Sequence, residues 1–299
     1  MISARPRGHA LRTLATLALL TALSRVSAQA QEELPSATVT GQEEMIQPRR
    51  LIDMHTAGVL PRGSLDFETR VYPSRHNDVD GAGITFSIAV GITDRFMFGG
   101  GYGGDGLVGH GTVRGNPWPG LLLKYRIIEE TYHFPGLAIG YDWQGYGGIE
   151  GYENSDNSYR GYVYKSEGLF AAMSKNYLLF TKVQFGIHVS VNYSIEEIQR
   201  VKWPNGYLGL DIGINEELAV AAEYNLALNH EDPNSGQYIN PLHGFFNAGI
   251  RWAMFPSFYL EFNAKDIFAK KLLRNDDPAV SDSPLGWSRE LKLVYVTSF

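Results

Sequence analysis

The chain has 299 residues, 33 of them glycine and none cysteine; 44% are hydrophobic, 12% aromatic and 19% charged, and the net charge is −6. This excludes a disulfide scaffold and any cysteine-ligated metal or iron–sulfur site, and it gives no basis for nucleic-acid binding. A mean hydropathy of −0.18 also excludes a bundle of transmembrane helices. What remains is a soluble globular protein or a membrane β-barrel, whose alternation hides its hydrophobicity from averages.

Residues 1–30 read as a secretory signal. Arg5, Arg7 and Arg12 precede the apolar run Leu14 to Leu23, and Val26-Ser27-Ala28 and Ala28-Gln29-Ala30 are small-x-small cleavage patterns. The run is too short to span a bilayer as an anchor. Removing residues 1–28 takes away four arginines and no acid, which leaves a mature chain near −10. Residues 31–62 carry little periodicity and read as a flexible periplasmic segment. Within them Ala37-Thr38-Val39-Thr40-Gly41 resembles the energy-coupling box of TonB-dependent transporters. Those proteins need a plug domain and about 22 strands, for which this chain has no room.

From residue 63 to 299 the sequence alternates. Val183, Phe185, Ile187, Val189, Val191 and Tyr193 occupy one parity, and Lys182, Gln184, Gly186, His188, Ser190 and Asn192 the other. Period two over this length means a strand with one apolar and one polar face. The same pattern predicts strands at 65–71, 84–92, 96–102, 121–127, 137–143, 162–173, 182–193, 208–214, 218–228, 246–252, 258–264 and 291–299. Short linkers are expected at 93–95, 129–135, 174–177, 215–217 and 254–257. They alternate with longer loops rich in Gly, Asn, Asp and Pro. The expected fold is therefore all-β: an antiparallel up-and-down transmembrane β-barrel of about twelve strands, with short periplasmic turns and long extracellular loops. The expected location is the bacterial outer membrane, with outer-membrane lipid and lipopolysaccharide as surroundings. Aromatics at strand ends, among them Tyr72, Trp118, Trp143, Tyr146, Tyr193, Trp203 and Trp287, suit the membrane interfaces. Leu291, Leu293, Tyr295 and terminal Phe299 resemble the C-terminal signal of bacterial outer-membrane proteins. That resemblance implies recognition by the barrel-assembly machinery.

If the apolar parity faces lipid, the other parity faces the lumen. That set contains Asp66, Glu68, Arg70, Lys124, Arg126, Asp142, Lys165, Glu167, Lys182, His188, Asp211, Glu223, Arg251, Glu261 and Lys265. Two readings stay open: a water-filled pore whose charges set selectivity, and a barrel filled by ion pairs that acts through its surface loops. An outer-membrane phospholipase is the third reading, because His188 and Ser190 share a face. Their parity is the lumen side, however, and no third orienting residue is assignable, so a non-enzyme is expected. Asp276-Asp277 and Asn154 to Asn157 could hold a cation against lipopolysaccharide, but no EF-hand spacing supports this. The glycines of 99–104 open no helix and form no phosphate loop. No cofactor and no metal are expected.

Three segments resemble the YjbH-type outer-membrane proteins associated with bacterial exopolysaccharide. They are Thr56-Ala57-Gly58-Val59-Leu60-Pro61-Arg62-Gly63, residues 120–130 (GLLLKYRIIEE) and residues 249–265 (GIRWAMFPSFYLEFNAK). The resemblance spans roughly residues 50–268 and the last strand. It implies a barrel channel or assembly component that works with exopolysaccharide or its export proteins.

Overall fold

A computed structural model of the chain describes residues 48–73, 79–111, 113–116, 118–149, 162–179, 183–196, 203–229, 238–239, 244–268, 270–271 and 288–299. The expected signal, residues 31–47, Lys182, Trp287 and the Asn154 and Asp276 segments lie outside them. Twelve strands form the wall: β1 (Ser64–Pro73), β2 (Val79–Thr93), β3 (Phe96–Gly111), β4 (Gly120–Ile128), β5 (Gly136–Asp142) and β6 (Gly168–Leu179). The second half is β7 (Val183–Tyr193), β8 (Asn205–Gly213), β9 (Leu218–Asn225), β10 (Phe245–Phe255), β11 (Phe258–Lys265) and β12 (Ser288–Ser298). Each strand pairs antiparallel with the next, and β12 pairs with β1 from Val71↔Leu291 to Ser64↔Ser298. The ring is therefore closed and leaves no sheet edge among the twelve.

The polarity of this ring is inverted relative to a soluble protein. Phe67, Phe86, Phe98, Leu208, Ile250 and Phe262 are exposed on the outer face, while Asp66, Lys124, Glu223 and Lys265 are buried inside. Strand alternation accounts for this, because neighbouring residues point to opposite faces and the apolar parity faces out all the way round.

The structure corrects the expected strands in one region. Strand six was expected at 162–173 and its turn at 174–177, but β6 runs from 168 to 179 and contains those four residues. Tyr162–Tyr164 instead pairs with Tyr146–Ile149 in a separate two-stranded unit. A β-bulge explains the difference: Tyr193 opposes both Gly168 and Leu169, and Gly168 is in the left-handed region with φ +67°. An extra residue on one strand switches parity. Glu167 before the bulge and Phe170 and Ala172 after it thus all point into the lumen, and Leu169 and Met173 point out. Tyr72 and Tyr146, expected at the membrane interface, also point inward and pack on each other with ring centroids 5.0 Å apart.

The second correction is the N-terminal segment. Residues 31–62 were expected as flexible periplasmic chain, but 48–60 lie inside the barrel. Leu51, Ile52, Met54, His55, Thr56, Ala57, Val59 and Leu60 are all buried. The segment enters at the short-turn end through Gly63, whose φ of +75° favours glycine. There Gly63 donates to the Gly91 carbonyl (2.8 Å) and accepts from Phe299 N–H (2.9 Å). Val59 and Leu60 pack with Ala89, Met97, Leu122, Phe170 and Ala172 of β2, β3, β4 and β6. Beyond them the chain doubles back as a hairpin. Arg50 bridges His55, Leu51 N–H donates to the Met54 carbonyl (3.0 Å), and Thr56 N–H donates to the Arg49 carbonyl (3.3 Å).

Candidate functional site in the barrel lumen

The hairpin is 48–56, with its tip at Leu51 to Met54. Each end of it meets a group of opposite sign on the wall. Arg49 Nε lies 2.5 Å from Asp66 Oδ2, and Arg49 Nη2 lies 3.1 Å from Glu68 Oε2, both on β1. Burial disfavours the Arg49 charge, but Asp66 and Glu68 outweigh it and raise its pKa above the usual guanidinium value. Arg50 pairs with Asp142 at the end of β5, and His55 Nε2 lies 2.9 Å from the same carboxylate. The His55 ring stacks on Phe170, with centroids 4.0 Å apart. Burial and the nearby Arg50 push the His55 pKa down to about 3, so the imidazole is neutral. Asp53 at the tip takes Lys265 (2.5 Å) and Arg70 (3.4 Å). Burial would raise its pKa, but these two cations hold it well below the usual carboxylate range.

The backbone of the hairpin is bound as closely as its side chains. Glu223 of β9 accepts the N–H groups of Ile52 (3.1 Å), Asp53 (3.0 Å) and Met54 (3.0 Å), and the Asn247 amide (2.8 Å). Successive N–H groups in a turn form a concave anion site, and here a wall carboxylate fills it. Lys124 donates to the Arg49 carbonyl (2.7 Å), Lys292 to the Ile52 carbonyl and Arg251 to the Arg50 carbonyl (3.4 Å). Glu167 accepts His55 N–H (3.1 Å); burial raises its pKa well above the usual value. The apolar side chains of the tip, Leu51, Ile52 and Met54, are buried as well. Leu51 and Met54 sit against Tyr207 and the bare backbone of Gly209, where an added Cβ would come within 2.4 Å of Leu51 Cδ1.

The remaining residues of the expected lumen set have other places. Arg251 is half-buried and pairs with Glu261 (2.6 Å). Arg126 sits at the short-turn rim and donates to the Asp94 carbonyl (2.8 Å). Lys165 is at the long-loop end and donates to the Asn229 carbonyl (3.0 Å). His188 and Asp211 do meet, at 2.5 Å, but the serine on His188 is not Ser190. It is Ser174, directly opposite on β6, with Oγ 2.7 Å from His188 Nδ1. The Ser174 oxygen accepts Ala57 N–H (2.8 Å), so this row faces the lumen and holds the hairpin stem.

Several residues of the site are absent from the expected set. Glu290 and Lys292 lie on the polar parity of β12, and Lys292 is 3.5 Å from Glu290. The parity rule that found the others reaches them as well. Arg49, Arg50, Asp53 and His55 carry no such periodicity. Their signal is compositional: four ionisable groups interleaved with Leu51, Ile52 and Met54. Tyr146 joins the tip from the long-loop side, with its hydroxyl 2.7 Å from Asp53 and 2.9 Å from Glu290.

A closed twelve-stranded antiparallel ring with an apolar outside and a charged inside defines a β-barrel of the outer-membrane kind. No protein-family model matches the chain, and no curated protein matches it. In fold it is similar to an outer membrane channel from Pseudomonas putida F1 (TM-score 0.36, 11% identity, 80% of this chain and 97% of that one). It is also similar to the NanC porin (TM-score 0.37, 8% identity, 79% and 99%). A third likeness is to the outer membrane channel DcaP of Acinetobacter baumannii (TM-score 0.30, 10% identity, 79% and 96%). These likenesses concern the fold alone. The functional reading rests on the residues of this chain.

Proposed function

We propose that this protein is a gated channel of the bacterial outer membrane, and that its own hairpin 48–56 is the gate. The supporting observation is how the hairpin is held. Its arginines pair with Asp66, Glu68 and Asp142, and its tip is held by Glu223 and Lys265. Such contacts exchange for water at small net cost, each contributing only ~0.5–3 kcal/mol. The gate joins the wall through Gly63 at the short-turn end, the side toward which it would withdraw.

The wider setting belongs to the same reading. The protein is exported by the signal in residues 1–30 and inserted by the barrel-assembly machinery through its Phe299 end. Its outer face then meets lipid and lipopolysaccharide. The YjbH-like segments support a cargo or partner connected with exopolysaccharide export. A filled barrel that acts through its loops is the competing reading. Planar-bilayer recording separates the two. Wild-type protein is expected to be silent or to open rarely, and deletion of 48–56 to give stepwise conductance. Silence of a folded deletion variant at all voltages would overturn the gated-channel reading.

A further inference from the structure

We infer that the opened lumen selects cations, so that its cargo is a cationic or neutral solute and not an acidic polymer. The inference rests on the gated-channel reading and adds the charge of the solute to it.

The argument starts from what the gate leaves behind. Withdrawal of the hairpin strips five wall carboxyl groups of hairpin partners: Asp66, Glu68, Asp142, Glu167 and Glu223. Asp211, Glu261 and Glu290 line the same interior and are buried there. The wall cations between the rims are fewer among the described residues: Arg70, Lys124, Arg251, Lys265 and Lys292. Three of them stay neutralised within the wall when the gate leaves. Arg251 keeps Glu261 at 2.6 Å, Arg70 keeps Glu68 at 3.2 Å, and Lys292 keeps Glu290 at 3.5 Å. Asp142 and Glu223 have no such cationic partner on the wall within ion-pair distance among the described residues. The surplus is therefore negative, and it lies on the path the hairpin occupied.

The hairpin itself shows which charge this path accommodates. Its two guanidinium groups, Arg49 and Arg50, sit partly buried against these carboxylates, while its one carboxylate, Asp53, is taken at the far end by Lys265 and Arg70. At the short-turn rim Arg95 and Arg126 share Glu129, at 3.2 Å and 3.9 Å. Inside a low-dielectric wall such a surplus acts on permeating ions far more strongly than on the protein surface, and rings of carboxylates select cations.

The test uses the 48–56 deletion, which leaves no hairpin charge in the lumen, alongside the full-length Arg49→Ala/Arg50→Ala variant, which loosens the gate by removing its two cations. Reversal potentials are read in a potassium chloride gradient at low ionic strength, where screening is weak. The expected result is a K+ over Cl− permeability ratio of roughly 3 or more, falling toward one in the added Asp142→Asn/Glu223→Gln background. Conductance with no preference, or with preference for chloride, overturns the inference and leaves the gated channel standing. No conductance from either folded variant overturns the gated channel itself, and the inference with it.

Discussion

Glu223 is the side chain that most directly holds the hairpin tip, and its removal gives the most informative perturbation. Its carboxylate accepts three backbone N–H groups at 3.0–3.1 Å and the Asn247 amide at 2.8 Å. In Glu223→Ala the closed state keeps these donors buried without an acceptor, whereas in the open state water satisfies those of the hairpin. Hydrogen bonds to a charged group contribute ~1.5–3 kcal/mol each, and leaving this set of buried donors without its acceptor costs ~3–5 kcal/mol in total. That shifts closing by a factor of ~10² to several times 10³. The native chain has no cysteine, so Ile52→Cys supplies a sole thiol, and labelling by a membrane-impermeant maleimide reads the open fraction. Ile52 is 1% exposed in the closed barrel, so slow labelling is the baseline. Labelling should accelerate by about that factor in Glu223→Ala, up to the limit of a free thiol. Glu223→Gln keeps one acceptor oxygen and should lie between. Unchanged labelling in a Glu223→Ala barrel that still shows heat-modifiable mobility would refute the reasoning.

Two further perturbations act on the same equilibrium by different physics. His55 has a pKa of about 3 in the closed state against 6.5 when solvated, so the released hairpin binds the extra proton. Closure is then complete above pH ~6.5 and weakens as pH falls toward 3, by ~1.4 kcal/mol per unit, or about 2 kcal/mol at pH 5. The charged and titratable groups facing His55 are Arg50, Asp142, Lys124 and Glu167; in His55→Gln the pH dependence of labelling should flatten, and an unchanged slope would assign it to those groups instead. Gly209→Val places a side chain where Leu51 and Met54 now sit, 2.4 Å and 2.5 Å from an added Cβ. It should open the gate by ~1–3 kcal/mol without altering any charge, read as faster labelling at position 52, and a closed gate in this variant would contradict the contact.

The wall was legible in the sequence because alternation leaves a residue-by-residue record of which face is wet. All twelve strands were placed, and the error at strand six came from one feature the pattern hides. A bulge at Gly168 changes parity without changing composition, so Phe170 and Ala172 read as lipid-facing when they pack against Leu60. The hairpin was not legible for a different reason. It has no repeating hydrogen-bond ladder of its own, and its partners lie up to 240 residues away, as for Ile52 and Lys292. A short polar segment held by such distant groups has the same composition as a solvated tail. What separates the two is the unbalanced charge of the wall, visible only once the strands are closed into a ring and the lumen charges are set side by side. The pairing of His188 with Ser174 was hidden likewise, because neighbours across a sheet depend on register and not on spacing along one strand.

The central claim, that the hairpin and its stem occupy the lumen, is tested most directly by a crosslink. A Cβ added at Gly136 of β5 would lie 3.3 Å from the Ala57 Cβ, close to the ~3.8 Å typical of a disulfide. With no native cysteine to compete, Ala57→Cys/Gly136→Cys should form one intramolecular disulfide under mild oxidation. The bilayer recording should then be silent, and reduction should restore rare openings. Two thiols that remain separately alkylatable in a folded barrel would contradict the account.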